Sequence, residues 1–438
     1  MHRFHLVALL ALIWHTVTVH SAALAHVSRE QCQVSGKHCP KGTIVVSATE
    51  KHADFTTVQA AIESLPQDDS AHTILILAGT YKEQVNITRA GPVTLLGQTS
   101  CPEDATKNKV TLTWAAANHD NTGKSVDNVF SSVLVVAPTL DSSLTGAGPS
   151  GFPVPEDTPF GNKDFRAYNI DFTNNWAEYS DGPAHALSFS RANGGFYYCG
   201  FYSYQDTVRP PNAERCHLIT TPLVPLAPPS FLPSFLPFIA DLTFPCSPPQ
   251  VYVGKLGNAY FYKSILAGQT DFLYGFGTAW IQSSSVLLRG CGGGITAWKG
   301  TNTTFPNKYG VYIVDSDVRA ANASIAPSIV GACALGRPWN ELHRSIFARS
   351  YEDGSIQSNG YIDWIISGVG RYEKGVTLMA EYNDDGPGFN RTGRIESSVS
   401  TVLDRKGYEP FDEPRKVFQD PKGRFGDVSW IDWETARK

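Results

Sequence analysis

Ala267-Gly268-Gln269-Thr270-Asp271-Phe272-Leu273-Tyr274-Gly275 places one carboxylate in an apolar and aromatic run. Gly268 and Gly275, with Gly277 just beyond, allow tight backbone around it. An acid in such company is desolvated, so its neighbours set its pKa and reactivity. By itself the stretch equally fits an acid at a strand end or turn. Two further stretches extend the reading: Tyr204-Gln205-Asp206-Thr207 upstream and Leu335-Gly336-Arg337-Pro338-Trp339 downstream.

The 438 residues suffice for a large buried core. Only 18% of them are charged, the net charge is −5, and no basic run occurs, which argues against a nucleic-acid partner. Residues 1–25 read as a secretory signal: His2 and Arg3, the apolar run from Leu6 to Trp14, then Ala23-Leu24-Ala25 as a small-x-small cleavage site. That run is too short to span a bilayer, and no membrane span is expected. The expected location is secreted and extracellular. Eight cysteines then become disulfide candidates, with Cys32 and Cys39 close enough for a local bridge. No Cys-x-x-Cys pair or histidine cluster suggests a metal. Asn86, Asn302, Asn322 and Asn390 each stand in a glycosylation acceptor triplet.

Asp54 to Ile62 reads as a helix with Asp54 as its N-cap, with Val58, Ala61, Ile62 and Leu65 on one face and Pro66 ending it. Such a helix would cover the end of a solenoid. After Ala71 come short β-rich segments: Thr73–Leu77, Gln84–Ile87, Val93–Leu96, Val110–Thr113, Val133–Val136, Ala167–Phe172, Ala186–Phe189, Gly195–Tyr198, Ala259–Tyr262, Val286–Arg289 and Gly310–Val314. Many short strands mean an all-β chain: sandwich, barrel or β-helix. Asn-Gly hairpin turns are scarce, which disfavours an antiparallel meander.

Arg209 to Gln250 differs. It holds 11 of the 28 prolines and is too apolar for an ordinary linker. A structureless loop of this length is rare inside a compact domain. A translated intron is the preferred reading and a natural loop insertion the other. Removing Arg209–Val251 joins Gln205-Asp206-Thr207-Val208 to Tyr252-Val253-Gly254-Lys255. From Ser345 onward, Tyr361-Ile362-Asp363-Trp364 and other aromatics are expected to pack along the solenoid and close its last coil, with no chemistry assigned.

The three stretches quoted first, in that order and with Gly79-Thr80-Tyr81-Lys82-Glu83-Gln84-Val85 upstream, resemble the signature of the pectin methylesterases, in their fungal-type secreted form. The resemblance runs from about Ile44 to near the C-terminus. It implies a right-handed parallel β-helix with a short N-terminal capping helix: one domain over residues 26–438, interrupted at 209–250. It implies a substrate, methyl-esterified pectin, hydrolysed to pectate and methanol without a cofactor. The expected protein acts as a monomer.

Ester hydrolysis needs a nucleophile, a proton donor for the leaving group and oxyanion stabilisation. No Gly-x-Ser-x-Gly elbow is present. The resemblance makes Asp271 the nucleophile, held ionised and oriented by Arg337. Asp206 becomes the general acid and then base, and Gln205 the oxyanion donor. Substrate binding falls to Gln205, Tyr274, Arg337 and Trp339, with Tyr274 and Trp339 as apolar faces for sugar rings. One departure stands out. The family carries another oxyanion glutamine where this chain has Pro183, in Gly182-Pro183-Ala184-His185-Ala186-Leu187. His185 shares the facing of Pro183 by alternation, but a structural or solvent-facing histidine is the simpler expectation.

Two other functions compete. A polygalacturonase-like enzyme would want clustered acids around a water, and a pectin lyase a calcium-binding acid cluster or a basic residue acting on C5. Asp384-Asp385, the nearest acid pair in the C-terminal part, reads as a loop. A non-catalytic polysaccharide-binding β-helix would be favoured by loss of Asp206 or Asp271, and both are present.

Overall fold

The computed structural model describes residues 29–118, 126–145, 155, 157–176, 183–203, 249–300 and 308–437. Strands form three parallel sheets of 11, 7 and 8 strands. Each coil gives one strand to each sheet in turn, so every third strand pairs with its predecessor: Asn258–Tyr262 pairs with Thr278–Gln282, which pairs with Gly310–Val314. This is a right-handed parallel β-helix. The segments expected as strands appear where the sequence places them, with one refinement. The run from Ala167 to Phe172 is two strands, Phe165–Tyr168 and Ile170–Asn174, broken at Asn169 by a left-handed residue with φ 53°.

That break recurs on the next six coils. Tyr198, Lys263, Ser283, Asp315, Arg349 and Asn383 each follow a strand of the 11-stranded sheet and each have φ between 45° and 55°. One left-handed residue turns the chain from the first sheet into the next. A buried ladder stabilises this corner. Cys199 N donates to Ser264 Oγ, Ser264 N to Ser284 Oγ, Ser284 N to Ser316 Oγ, and Ser316 N to Ser350 Oγ. Ser350 N ends the series on Asp384 Oδ1 at 2.7 Å.

The interior is hydrocarbon stacked in register. Phe196 lies against Phe261 at 5.0 Å, and Ile281, Ile313 and Phe347 continue the column. At the N-terminal end, the helix Val58–Glu63 buries Val58, Ala61 and Ile62 over the first coil. Its N-cap is Thr57, not Asp54. Asp54 turns back to accept from Val45 N at 2.8 Å, so the helix starts four residues after the acid. Glu83 completes the cap: its two oxygens accept from Val58 N and Gln59 N, each at 2.8 Å. The Gly79–Val85 motif is therefore structural, with a carboxylate on the helix start.

The C-terminal segment packs on the outer face of the 11-stranded sheet. Tyr408, Val417, Phe418 and Trp430 cover Tyr197, Tyr260 and Tyr312 there, and Thr401–Val402 pairs with Leu378–Tyr382 to add a final strand. Cys32–Cys39 is a disulfide, as the spacing allows, and Cys291–Cys333 is a second. The secretory signal at 1–25 lies outside the described residues. Among the described residues, no helix is long and apolar enough to cross a membrane.

Of the stretch read as an insert, 209–250, the last two residues are described. Pro249 and Gln250 belong to the strand Pro249–Val253, in register with Ala184 and His185. A proline at the first residue of a strand is tolerated there. The rest of the insert lies outside the described residues.

Candidate active site

Asp271 follows Gly268-Gln269-Thr270 at a bend between two strands, Ile265–Gly268 and Leu273–Gly275. Its φ is 51°, the left-handed region that aspartate tolerates better than most residues. The conformation is fixed from the next coil. Asp271 N donates to Gly294 O at 2.5 Å, and Gly294 N donates back to Asp271 Oδ1 at 3.1 Å.

Arg337 comes from the coil after that, just past the strand Ala334–Gly336. Its Nε lies 3.0 Å from Asp271 Oδ1, and its Nη2 lies 2.5 Å from Oδ2. This is a two-pronged guanidinium–carboxylate pair, partly open to solvent. Gly293 makes room for it: a Cβ there would lie 2.9 Å from the guanidinium carbon and 2.8 Å from the Thr270 methyl. The Cys291–Cys333 bridge ties together the segments that lead into Gly293 and Arg337.

Asp271 is 8% exposed, and burial pushes its carboxyl above the ordinary value, while Arg337 and the Gly294 amide pull it down. The sequence reading has Arg337 holding Asp271 ionised. Burial outweighs the arginine, so the acid titrates above a solvated aspartate.

An aromatic wall adjoins the pair. Tyr252, Tyr274 and Ala297 cluster with Trp339 and Trp364. Trp339 and Tyr274 are 5.3 Å apart, and Arg337 stacks on Trp364 at 3.8 Å. Trp364 was legible only as one aromatic in a C-terminal run; its place over Arg337 comes from the return of that segment across the 7-stranded sheet. Lys299 is missed by the sequence reading altogether. It is fully buried, 3.3 Å over the Trp339 ring and 4.2 Å over Phe276, and burial drops its pKa to about 7.

His185 is structural and wholly buried. Nε2 lies 2.6 Å from the Tyr274 hydroxyl and 3.1 Å from Gln250 Oε1, and Nδ1 lies 3.2 Å from Ser132 Oγ. Burial lowers its pKa to about 4, so the ring is neutral near pH 7. Asn128 donates to the same Tyr274 oxygen at 3.2 Å. Tyr274 is thus half wall and half polar anchor. Pro183 accepts from Asn118 N through its carbonyl and offers no side-chain donor. Gln205 and Asp206 lie outside the described residues, so the structure brings together Asp271, Arg337, Tyr274 and Trp339 only. Among the described residues, the one cluster of three acids with metal-ligand spacing, Glu352, Glu381 and Asp384, lies elsewhere.

Residues 251–414 match the pectinesterase family model. A probable pectinesterase A from Aspergillus niger is 25% identical over 407 residues, covering 92% of this chain and 95% of that protein. The crystal structure of the pectin methylesterase from Aspergillus niger superposes with a TM-score of 0.58 at 21% identity, covering 90% of this chain and 97% of the other. A pectin methylesterase crystallised in complex with a hexasaccharide gives 0.60 at 19% identity, covering 87% and 98%. Along most of its length the chain is similar in sequence to fungal pectinesterases, residues 251–414 match the family model, and the chain is folded like the pectin methylesterases.

Proposed function

We propose that this protein is a secreted, monomeric carboxylic ester hydrolase that removes methyl groups from polygalacturonate, with Asp271 as its nucleophile. The observation that carries the assignment is the Arg337–Asp271 pair set beside the wall of Tyr274, Trp339 and Trp364. In its ionised form Asp271 attacks the ester carbonyl. Methoxide leaves with a proton from Asp206, forming methanol and an acyl-enzyme anhydride. Asp206 then takes a proton from water, whose oxygen adds to the anhydride, releasing the galacturonate carboxylate and free Asp271. Gln205 donates to the oxyanion in both steps. Tyr274 and Trp339 face sugar rings.

Coil register supports the place of Asp206. Tyr202 pairs with Ala267, and Val251 pairs with Leu273. Six residues lead from Ala267 to Leu273, whereas forty-nine lead from Tyr202 to Val251. The coil therefore carries 43 residues more than its neighbour. Val208 and Val251 are the same residue type, so deleting 208–250 or 209–251 leaves one and the same sequence. In that shorter chain Asp206 falls two residues before the position paired with Leu273, level with Asp271 and one coil away, about 4.8 Å along the solenoid. Gln205 falls level with Thr270. The family match begins at Val251, where this interruption ends. The 43 residues are read as translated intron, and a cDNA that carries them in mature message would refute that reading.

Asp271→Asn tests the nucleophile. The variant keeps its fold and loses methanol release from methyl-esterified polygalacturonate. Retained turnover would remove Asp271 from that role.

A further inference from the structure

The last coil replaces hydrocarbon with charge. Along one interior column Ile281, Ile313 and Phe347 are followed by Glu381, and along another Val286 and Val318 are followed by Glu352. Both glutamates have side chains with no exposure, and Asp384, at the foot of the serine ladder, is 5% exposed. Arg394, from the helix Arg391–Glu396, plugs the opening. It donates to Glu352 Oε2 at 2.8 Å and to Glu381 Oε2 at 2.7 Å. Its remaining hydrogen bonds go to the backbone carbonyls of Gln357, Ser358 and Gly388.

One guanidinium does not complete the set. Each of the three carboxylates keeps a buried oxygen without a hydrogen-bond partner among the described residues: Glu352 Oε1, Glu381 Oε1 and Asp384 Oδ2. Oxygens from the three acids lie within 4.8 Å of one another. Fully ionised, three carboxylates against Arg394 would leave two negative charges in a closed space; burial and the neighbouring acids accordingly push Glu352 and Asp384 well above the ordinary carboxylate range. An unmatched buried charge is costly, and three orphaned oxygens on one point compound it. A calcium ion takes oxygen ligands at about 2.3–2.6 Å, which puts opposite ligands roughly 5 Å apart. An all-oxygen, dehydrated set suits calcium better than magnesium, which keeps its waters, or zinc, which prefers nitrogen and sulfur.

We infer that Glu352, Glu381 and Asp384 form a structural calcium site that, with Arg394, seals the C-terminal end of the solenoid. The dication brings the cluster to neutrality and gives all three orphaned oxygens a partner. The site is separate from the esterase residues and does not depend on their assignment.

Metal analysis of the full chain, expressed with calcium and dialysed against chelator-free, metal-depleted buffer, tests this. The expected result is about one calcium per chain, with a melting temperature that falls by roughly 3–5 °C after prolonged chelator treatment and returns with calcium chloride. Glu381→Gln, or Asp384→Asn if the former does not fold, retains less than a tenth of the calcium and melts independently of it. Absence of calcium from the wild-type protein, with melting indifferent to chelator and to added calcium, overturns the inference and leaves shared protons as the neutralising charge.

Discussion

Arg337 reaches Asp271 across two coils of the solenoid, with Nε 3.0 Å from Oδ1 and Nη2 2.5 Å from Oδ2, although 66 positions separate them in sequence. Burial raises the pKa of Asp271 and this guanidinium lowers it. The two influences oppose each other, so removing the arginine has a signed consequence.

Arg337→Gln leaves burial unopposed except by the Gly294 amide. The nucleophile must be ionised, so activity is lost as pH falls through its pKa. The acid limb of the pH–rate profile should move to higher pH, and kcat on esterified pectin should fall about 100-fold or more. An unmoved limb would show that the arginine does not act on the ionisation of Asp271.

Gly293 and Gly294 should respond differently to alanine. At Gly293 the new Cβ meets the movable end of Arg337, so the fold yields by displacing the guanidinium. Gly293→Ala should lose roughly 10–100-fold in kcat with little change in melting temperature. At Gly294 the Cβ would lie 2.4 Å from the Gly336 Cα, and backbone cannot step aside. Gly294→Ala should lower the melting temperature by several degrees. Parallel thermal melts and methanol assays separate the two effects.

Asp171 offers a pH test remote from the site. Burial raises its pKa to about 7, with Asn108 donating to Oδ1 at 2.9 Å. The folded value exceeds the unfolded one of about 3.9, so the fold favours the protonated acid. Its contribution is present below pH 4 and is lost as pH rises towards 7. Asp171→Asn should melt like the wild type near pH 4 and be more stable near pH 8, on the order of 1–3 kcal/mol. Equal stabilities at both pH values would contradict the raised pKa.

The sequence carried the strands well, because short apolar runs between turn residues recur on every coil, and Gly310–Val314 was bounded to the residue. It placed the N-terminal helix but not its cap, because Glu83, 25 residues from Val58, competes for the first amides and Asp54 is drawn to Val45. Asp271 and Arg337 were legible as motif residues. Their contact was not, since register across two coils is a property of the folded solenoid. Trp364 and Lys299 had no signal beyond residue type, because their roles come from stacking between distant segments. Asp384 read as loop because the acids that face it, Glu352 and Glu381, stand alone in their own strands. The Pro-rich stretch is visible from composition; that its last two residues, Pro249 and Gln250, enter a strand is not, since the partner, Ala184–Phe189, lies 65 positions upstream.

The most direct test compares methanol release from highly methyl-esterified pectin by the full chain and by the chain lacking residues 209–251. The account predicts that the shortened protein is folded and releases methanol faster than the full chain, because Asp206 then stands level with Asp271. A folded shortened protein that releases no methanol, or a full chain whose activity the deletion destroys, would contradict it.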